Sequence, residues 1–242
     1  SSVAGRGVYL LSFLPESDVT RIVDYAAGTG KRSFAALLPE NAYGNVVEVA
    51  FKQAVARKGG RVVAFEKYGT DAAQMQGAAH NIAQALPSAD ALLLADDGDV
   101  LVRVSETLRA SGADLKRVQL LGTGLWDSPR VFGDAALQGG VYAAPDPSGY
   151  RAFAKRYRAK YGQDPVRTAT LAYDSVALVA ALAKQSGQRF SPEVLTNPSG
   201  FTGIDGLFRF KADGTNERGL AVLRVTAGGG QIVSGSPKSF GA

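Results

Sequence analysis

The chain has 242 residues, 45% hydrophobic and 20% charged, with a net charge of +5. At about 150 residues per domain that is one large domain or two small ones, and this balance of apolar and charged residues excludes intrinsic disorder. The 29 glycines and 10 prolines follow no repeat, which excludes collagen-like and low-complexity chains, and no run of about 18 apolar residues is present to span a membrane.

In chain order, short apolar runs alternate with amphipathic ones. Pro15–Ala27 places Val19, Ile22, Val23 and Ala26 on one helical face. Phe34–Leu38 reads as a strand and is followed by the loop Pro39–Gly44. Asn45–Lys58 is a second helix, with Val46, Val49, Ala50 and Ala54 as its apolar face and Gly59-Gly60 as its C-terminal stop. Val62–Phe65 is the next strand. The helix Ala72–Leu86 carries the only histidine, His80, which has polar neighbours and reads as exposed. Ala91–Ala95, Val118–Leu121 and Gly140–Ala143 are further strands. Asp99–Ser111 is a helix with an acidic start and a stop at Gly112. The strands are four or five residues long and almost wholly apolar, Gln119 being the polar exception, as expected of strands buried on both faces of a parallel sheet. This rhythm predicts an α/β fold: a doubly wound parallel sheet built from βαβ units.

The pattern changes after Ala144. Pro145-Asp146-Pro147 is a rigid connector, and two helices follow, Tyr150–Tyr161 and Thr168–Gln185. The first bears the densest basic stretch, Lys155–Lys160, which reads as a solvated helix face and falls short of a nucleic-acid-binding stripe. The second has a wide apolar face (Leu171, Ala172, Val176, Leu178, Val179, Leu182) and is expected to be deeply buried. Gly206–Lys211 and Gly219–Thr226 flank the turn Ala212–Asn216, a C-terminal β-hairpin signature.

The chemistry is bounded by scarcity. There is no cysteine, one histidine and one methionine, Met75. Disulfides, thiolate metal sites, cysteine nucleophiles and poly-histidine metal sites are excluded, and a catalytic triad has a single possible base with no carboxylate at helical spacing. The glycine pairs match neither a dinucleotide fingerprint nor a phosphate loop. Asp205-Gly206 and Asp213-Gly214 read as turns, because the spaced acidic ligands of a calcium loop are absent. No cofactor is implied, and an enzyme is the weakest reading.

In open parallel sheets ligands bind outside the carboxyl ends of the strands. That rule selects Pro39–Gly44, Asp96-Asp97-Gly98 and Gly122–Trp126. Each candidate has two readings. Tyr43 either stacks on or hydrogen-bonds a ligand, or packs on its own helix start. Asp96 and Asp97 either hold a cationic group or cap the helix that follows. Trp126, the only tryptophan, either lines a cleft or packs in the core; Thr123 and Gly124 precede it in the same loop.

Five segments carry a resemblance. They are Pro39-Glu40-Asn41-Ala42-Tyr43-Gly44, Leu121-Gly122-Thr123-Gly124-Leu125-Trp126, Phe153…Tyr157…Tyr161-Gly162…Pro165, Ala172-Tyr173-Asp174-Ser175, and Phe201-Thr202-Gly203 with Gly206–Phe210 and Asp213-Gly214. In this order and spacing the chain resembles the type I periplasmic binding proteins of the Leu/Ile/Val-binding branch. The Gly-Thr-Gly-Leu-Trp segment is also similar to the LppC-like lipoproteins that activate penicillin-binding proteins. The resemblance implies two lobes with a ligand between them. It assigns 15–144 to the second lobe, 145–205 to helices of an incomplete first lobe, and 206–242 to a closing hairpin and tail. The first lobe's opening repeats are expected to precede Ser1, where the chain does not begin with methionine. The implied ligand contacts are Tyr43, Asp96, Asp97, Thr123, Gly124 and Trp126. One departure stands out: amino-acid-binding members carry an acidic residue in the loop after the fourth strand, and Gly122–Leu125 holds none. An ammonium buried without a countercharge is costly, so binding of an α-amino acid in the usual way is in question. Two functions follow from the resemblance. One is a periplasmic solute receptor serving an ABC-type permease. The other is an envelope lipoprotein domain, lipid-anchored through a segment outside this sequence, that activates a penicillin-binding protein. The partners implied are a small molecule, one of those two membrane proteins, no nucleic acid, and a second copy covering the helix Thr168–Gln185.

Overall fold

Strands that are apolar on both faces have to be covered on both faces, and the fold meets that need with helices. The computed structural model describes residues 3–184, 187 and 189–240. Ser1, Ser2 and the expected helix end Gln185 lie outside them. The elements are α1 (Pro15–Gly28), β1 (Ser33–Pro39), α2 (Ala42–Arg57), β2 (Arg61–Tyr68), α3 (Ala72–Ala85), β3 (Ala91–Leu94), α4 (Gly98–Ala110), β4 (Gln119–Gly122), α5 (Pro129–Gly133) and β5 (Val141–Ala144). They are followed by α6 (Pro147–Tyr161), α7 (Ala169–Ala183), α8 (Pro192–Leu195), β6 (Phe201–Gly203), β7 (Gly206–Phe210), β8 (Asn216–Arg218), β9 (Ala221–Thr226) and β10 (Gly229–Ser234).

The chain divides into two compact units. The larger comprises Asp18–Ala144 and Val222–Ser234, and the smaller Ser1–Ser17, Pro145–Ala221 and Gly235–Ala242. The larger is built on a seven-stranded sheet in the order β10-β9-β5-β4-β3-β1-β2. β1 pairs in parallel with β2 and β3, β3 with β4, and β4 with β5, while β10 runs antiparallel to β9. Every residue of β1, β3 and β5 is buried, and α1 covers the sheet with Val19, Ile22, Val23 and Ala26, as its spacing predicts. Apolar area removed from water is the main stabilising term in such a sandwich, at about 25 cal/mol per Å².

Two details of this unit differ from the sequence reading. β2 is an edge strand, not a doubly buried one, so Val62 is 37% exposed. The buried face of α2 is turned by about one residue from the expected one: Val47, Ala50, Phe51, Ala54 and Val55 are buried and Val49 is exposed. Phe51 is the cause, since its ring meets Phe34 edge-on at a centroid distance of 6.4 Å and brings its own side of the helix to the sheet.

The smaller unit holds α6, α7 and a three-stranded antiparallel sheet, β6-β7-β8. The turn after β7 does join antiparallel strands, but the partner is Asn216–Arg218. Of Gly219–Thr226 only Gly219 returns to Gly206–Lys211, donating its N–H to the Leu207 carbonyl at 2.9 Å; the strand β9 joins the large sheet. The helix expected to be deeply buried is the main correction. In α7 the buried residues are Thr170, Asp174 and Leu182, while Val176 is 71% and Val179 54% exposed. The reason is polar. Asp174 accepts the Ile204 N–H with both carboxylate oxygens at 2.9 Å, and Thr170 donates to Asp205 at 2.5 Å. The stripe 170–174 therefore faces the small sheet and the apolar stripe faces outward. The ring of Tyr173 continues an aromatic series with Phe153, Tyr157 and Tyr161 along this surface.

Candidate functional site

The carboxyl ends of β1, β3 and β4 lie side by side in the larger unit, because these strands are adjacent and parallel. Each delivers one of the three loops selected from the sequence.

After β1, Asn41 caps α2 by accepting the Gly44 N–H at 2.8 Å. This cap starts the helix one residue before Tyr43. It also brings the chain so close to itself that a Cβ on Gly44 would lie 1.8 Å from the Pro39 carbonyl oxygen. Tyr43 then reaches across to the loop after β4, where its Oη shares a 2.8 Å hydrogen bond with Thr123 Oγ1. Burial pushes the Tyr43 phenol well above its ordinary pKa, and the carboxylates of Asp18 and Asp96 push the same way against the Thr123 hydrogen bond. The phenol is neutral at any working pH.

After β3, the two aspartates separate in role. Asp97 caps α4, accepting the N–H groups of Asp99 and Val100 at 3.1 Å each. Asp96 accepts the Tyr68 hydroxyl at 2.6 Å and the Asp97 N–H at 2.8 Å. Burial first, and then Asp96, hold the Tyr68 phenol protonated as the donor in that bond. Beside this loop lies a cavity of about 690 Å³ whose lining includes Tyr68, Met75, Asp96, Asp97, Arg103 and Glu106.

After β4, Thr123 is fully buried and Gly124 donates its N–H to Asp18 Oδ2 at 2.8 Å. Trp126 is fully buried, with Nε1–H donated to the Leu94 carbonyl at 2.9 Å. Its ring lies over two glycines: a Cβ on Gly122 would fall 2.2 Å from Cδ2, and one on Gly140 2.7 Å from Cζ3. Of its two readings the structure realises the core one, and the ring props the loop from beneath.

The structure thus brings Tyr43 and Thr123 into contact, sets Gly124 beside them, and places Asp96 near enough to act on Tyr43. It commits Asp97 to a helix cap and Trp126 to the core. Asp18 is a member the sequence reading missed. It stands in the first turn of α1, one position before the apolar stripe that marks that helix, and meets Gly124 across 106 residues of chain. His80 is exposed on α3. Among the described residues no group of three or more His, Cys, Asp or Glu is placed to hold a metal ion, and no helix is long and apolar enough to cross a membrane.

A family model described as periplasmic binding protein matches residues 2–230. No curated protein matches the chain. Several solved structures share the fold. One from Rhodospirillum rubrum, described as a branched-chain amino acid ABC transporter, has a TM-score of 0.79 at 22% identity over 93% of this chain and 67% of its own. A branched-chain amino acid ABC transporter periplasmic ligand-binding protein from Burkholderia xenovorans has a TM-score of 0.72 at 20% identity, covering 92% of this chain and 64% of its own. A solute-binding protein from R. palustris in complex with benzoate has a TM-score of 0.70 at 18% identity, covering 97% and 67%. The chain spans about two thirds of the length of these structures, between 64% and 67%.

Proposed function

Since the chain belongs to the periplasmic binding protein family, we propose that it is a solute receptor of an ABC-type uptake system, resident in the periplasm and delivering a small molecule to a membrane permease. The larger unit carries the ligand-contacting wall. Tyr43, Thr123 and Gly124 form its centre, Asp96 borders it, Asp97 fixes the start of α4, and Trp126 holds the third loop at its height. In this reading 15–144 is the second lobe of the family fold, 145–205 contributes helices of the first, and 206–242 closes the chain.

One observation carries the proposal: the Tyr43–Thr123 hydrogen bond joins two of the three loops at the carboxyl edge of a parallel sheet. That edge is where open α/β sheets bind ligands. The neighbours support it in kind, one being bound to benzoate and another to Leu. The reaction is binding and release, and it needs no acid–base group.

The test is a thermal melt with a panel of amino acids, alkyl amines and aromatic carboxylates. A ligand at 100 times its Kd stabilises the folded form by about 2.7 kcal/mol, which for a protein of this size raises Tm by roughly 5–10 °C. A panel that leaves the melt unmoved, with capture of a penicillin-binding protein in its place, would overturn the receptor reading.

A further inference from the structure

Of the eight residues of β2 only the last, Tyr68, is buried, at 4% exposure. A buried tyrosine needs a partner for its hydroxyl, and Tyr68 finds one beyond its neighbouring strand. β1 lies between β2 and β3, and Tyr68 stands opposite Pro39 at the end of β1. Its side chain reaches past that end and donates to Asp96 Oδ2 at 2.6 Å, while its own carbonyl accepts the Glu40 N–H at 2.8 Å. One residue at the sheet edge thus holds the loop after β1 by its main chain and the loop after β3 by its side chain. Asp96 is engaged on both oxygens, since Oδ1 accepts the Asp97 N–H at 2.8 Å. Asp97 in turn caps α4, so the bond from Tyr68 fixes the first residue of a run that ends in a helix start. The loop after β4 joins the same series through Tyr43 and Thr123.

We infer that Tyr68 is a positioning residue of the ligand-contacting wall and that Asp96 is its strut, engaged by the protein at both oxygens and not offered to the ligand as a charge. This rests on the receptor reading above. A hydrogen bond from a hydroxyl to a carboxylate is roughly twice as strong as one between neutral groups, which suits it to fixing a loop. Burial and the carboxylate keep the phenol protonated, so the donor is present at every working pH. A strut and a ligand contact ask different things of residue 96. The strut needs an acceptor for the Asp97 N–H and a hydrogen-bond partner for Tyr68, and it needs no negative charge. Asparagine meets both needs, with its carbonyl towards Asp97 and its amide N–H donated to the Tyr68 oxygen.

Three variants separate the two roles: Y68F, D96N and D96A. Each is titrated calorimetrically with leucine and with benzoate, and each is followed without ligand by amide hydrogen exchange. Y68F and D96A are expected to weaken whichever probe binds by about tenfold, the loss of one hydrogen bond to a charged group, while D96N stays within about twofold of the wild type. Without ligand, Y68F and D96A should speed exchange over residues 95–101, D96N should not, and the core strand Ala91–Leu94 should stay as protected as in the wild type. D96N losing binding as fully as D96A, with Y68F unaffected, would make Asp96 a charged ligand contact; the inference would fall and the receptor reading would stand. Exchange in Y68F that matches the wild type, or that is faster throughout the larger unit, would also overturn it, the second by making Tyr68 a core residue only. Binding of neither probe to the wild type would count against the receptor reading, and the exchange data would still decide whether Tyr68 holds the loop.

Discussion

Replacing Gly122 by alanine tests the placement of the third loop directly. The added Cβ would lie 2.2, 2.4 and 2.5 Å from Trp126 Cδ2, Cε2 and Cγ, well inside contact distance. The ring has no room to retreat. It is fully buried, tethered through Nε1–H to the Leu94 carbonyl, and already in close contact with Gly140 as well. Overpacking of this kind costs about 1–3 kcal/mol. Displacing the ring also breaks its hydrogen bond and strands a buried carbonyl, adding roughly 0.5–1.5 kcal/mol. The total is about 2–4 kcal/mol, a sizeable part of the 5–15 kcal/mol that holds an ordinary domain together. Urea unfolding followed by tryptophan emission reads the effect where it occurs, because Trp126 is the only tryptophan. With a urea slope of about 1–3 kcal/mol per molar, the midpoint is expected to fall by roughly 1–2 M, and the native emission to shift to the red. The matched control is G77A. Gly77 lies inside α3 with nothing within 4 Å of the added methyl, so that change is expected to stabilise by about 0.4–1 kcal/mol. A G122A variant with wild-type emission and midpoint would refute the reasoning, since the ring would then have space the structure denies it.

Two further outcomes concern charged groups. Asp90 accepts the N–H groups of Arg32 and Ser33 at 2.8 and 2.9 Å, and these bonds hold its pKa below the ordinary carboxylate value. A lowered folded-state pKa means stability that is present above the unfolded value near 3.9 and lost as pH falls through the folded one. D90N should therefore lose less stability than the wild type between pH 4 and pH 2 in urea titrations; equal acid losses would remove Asp90 from the account. In the smaller unit, Arg167 donates to the fully buried side chain of Asp205 at 2.7 Å and lies between the rings of Phe13 and Tyr150 at 4.8 and 4.7 Å. R167A leaves that carboxylate uncompensated and is expected to cost about 3–5 kcal/mol. The double variant R167A/D205N should recover much of the loss in the same unfolding assay, and no recovery would mean that stacking, not charge, is what Arg167 provides.

The parallel core was legible because its strands are apolar on both faces, a pattern that short half-buried strands do not produce. Periodicity also placed the start of α1 correctly. What could not be read was the surroundings of each element. Val62 looks like a core residue in its own strand, and only the strand order makes it an edge. The apolar stripe of α7 looks like a burial face, and only the bonds made by Asp174 and Thr170 show which side the small sheet takes. At the candidate site, Tyr43, Thr123 and Gly124 could be found from strand ends alone. Asp18 could not, because nothing local distinguishes it from any acidic residue in the first turn of a helix. Its meaning comes from a contact spanning 106 residues.

The order of the strands bears on how the chain is made. β5, buried along its whole length, has β4 on one side and β9 on the other, and β9 is encoded some 80 residues after it, beyond the whole helical segment. During synthesis the parallel block therefore stands for several seconds with its β5 edge bare, given elongation at about 5–20 residues per second. An unpaired apolar edge of this kind invites pairing with other chains. The last two strands thus act as a seal applied late, and a nascent chain halted before Ala221 would carry the loops of the site on a sheet still open at one side.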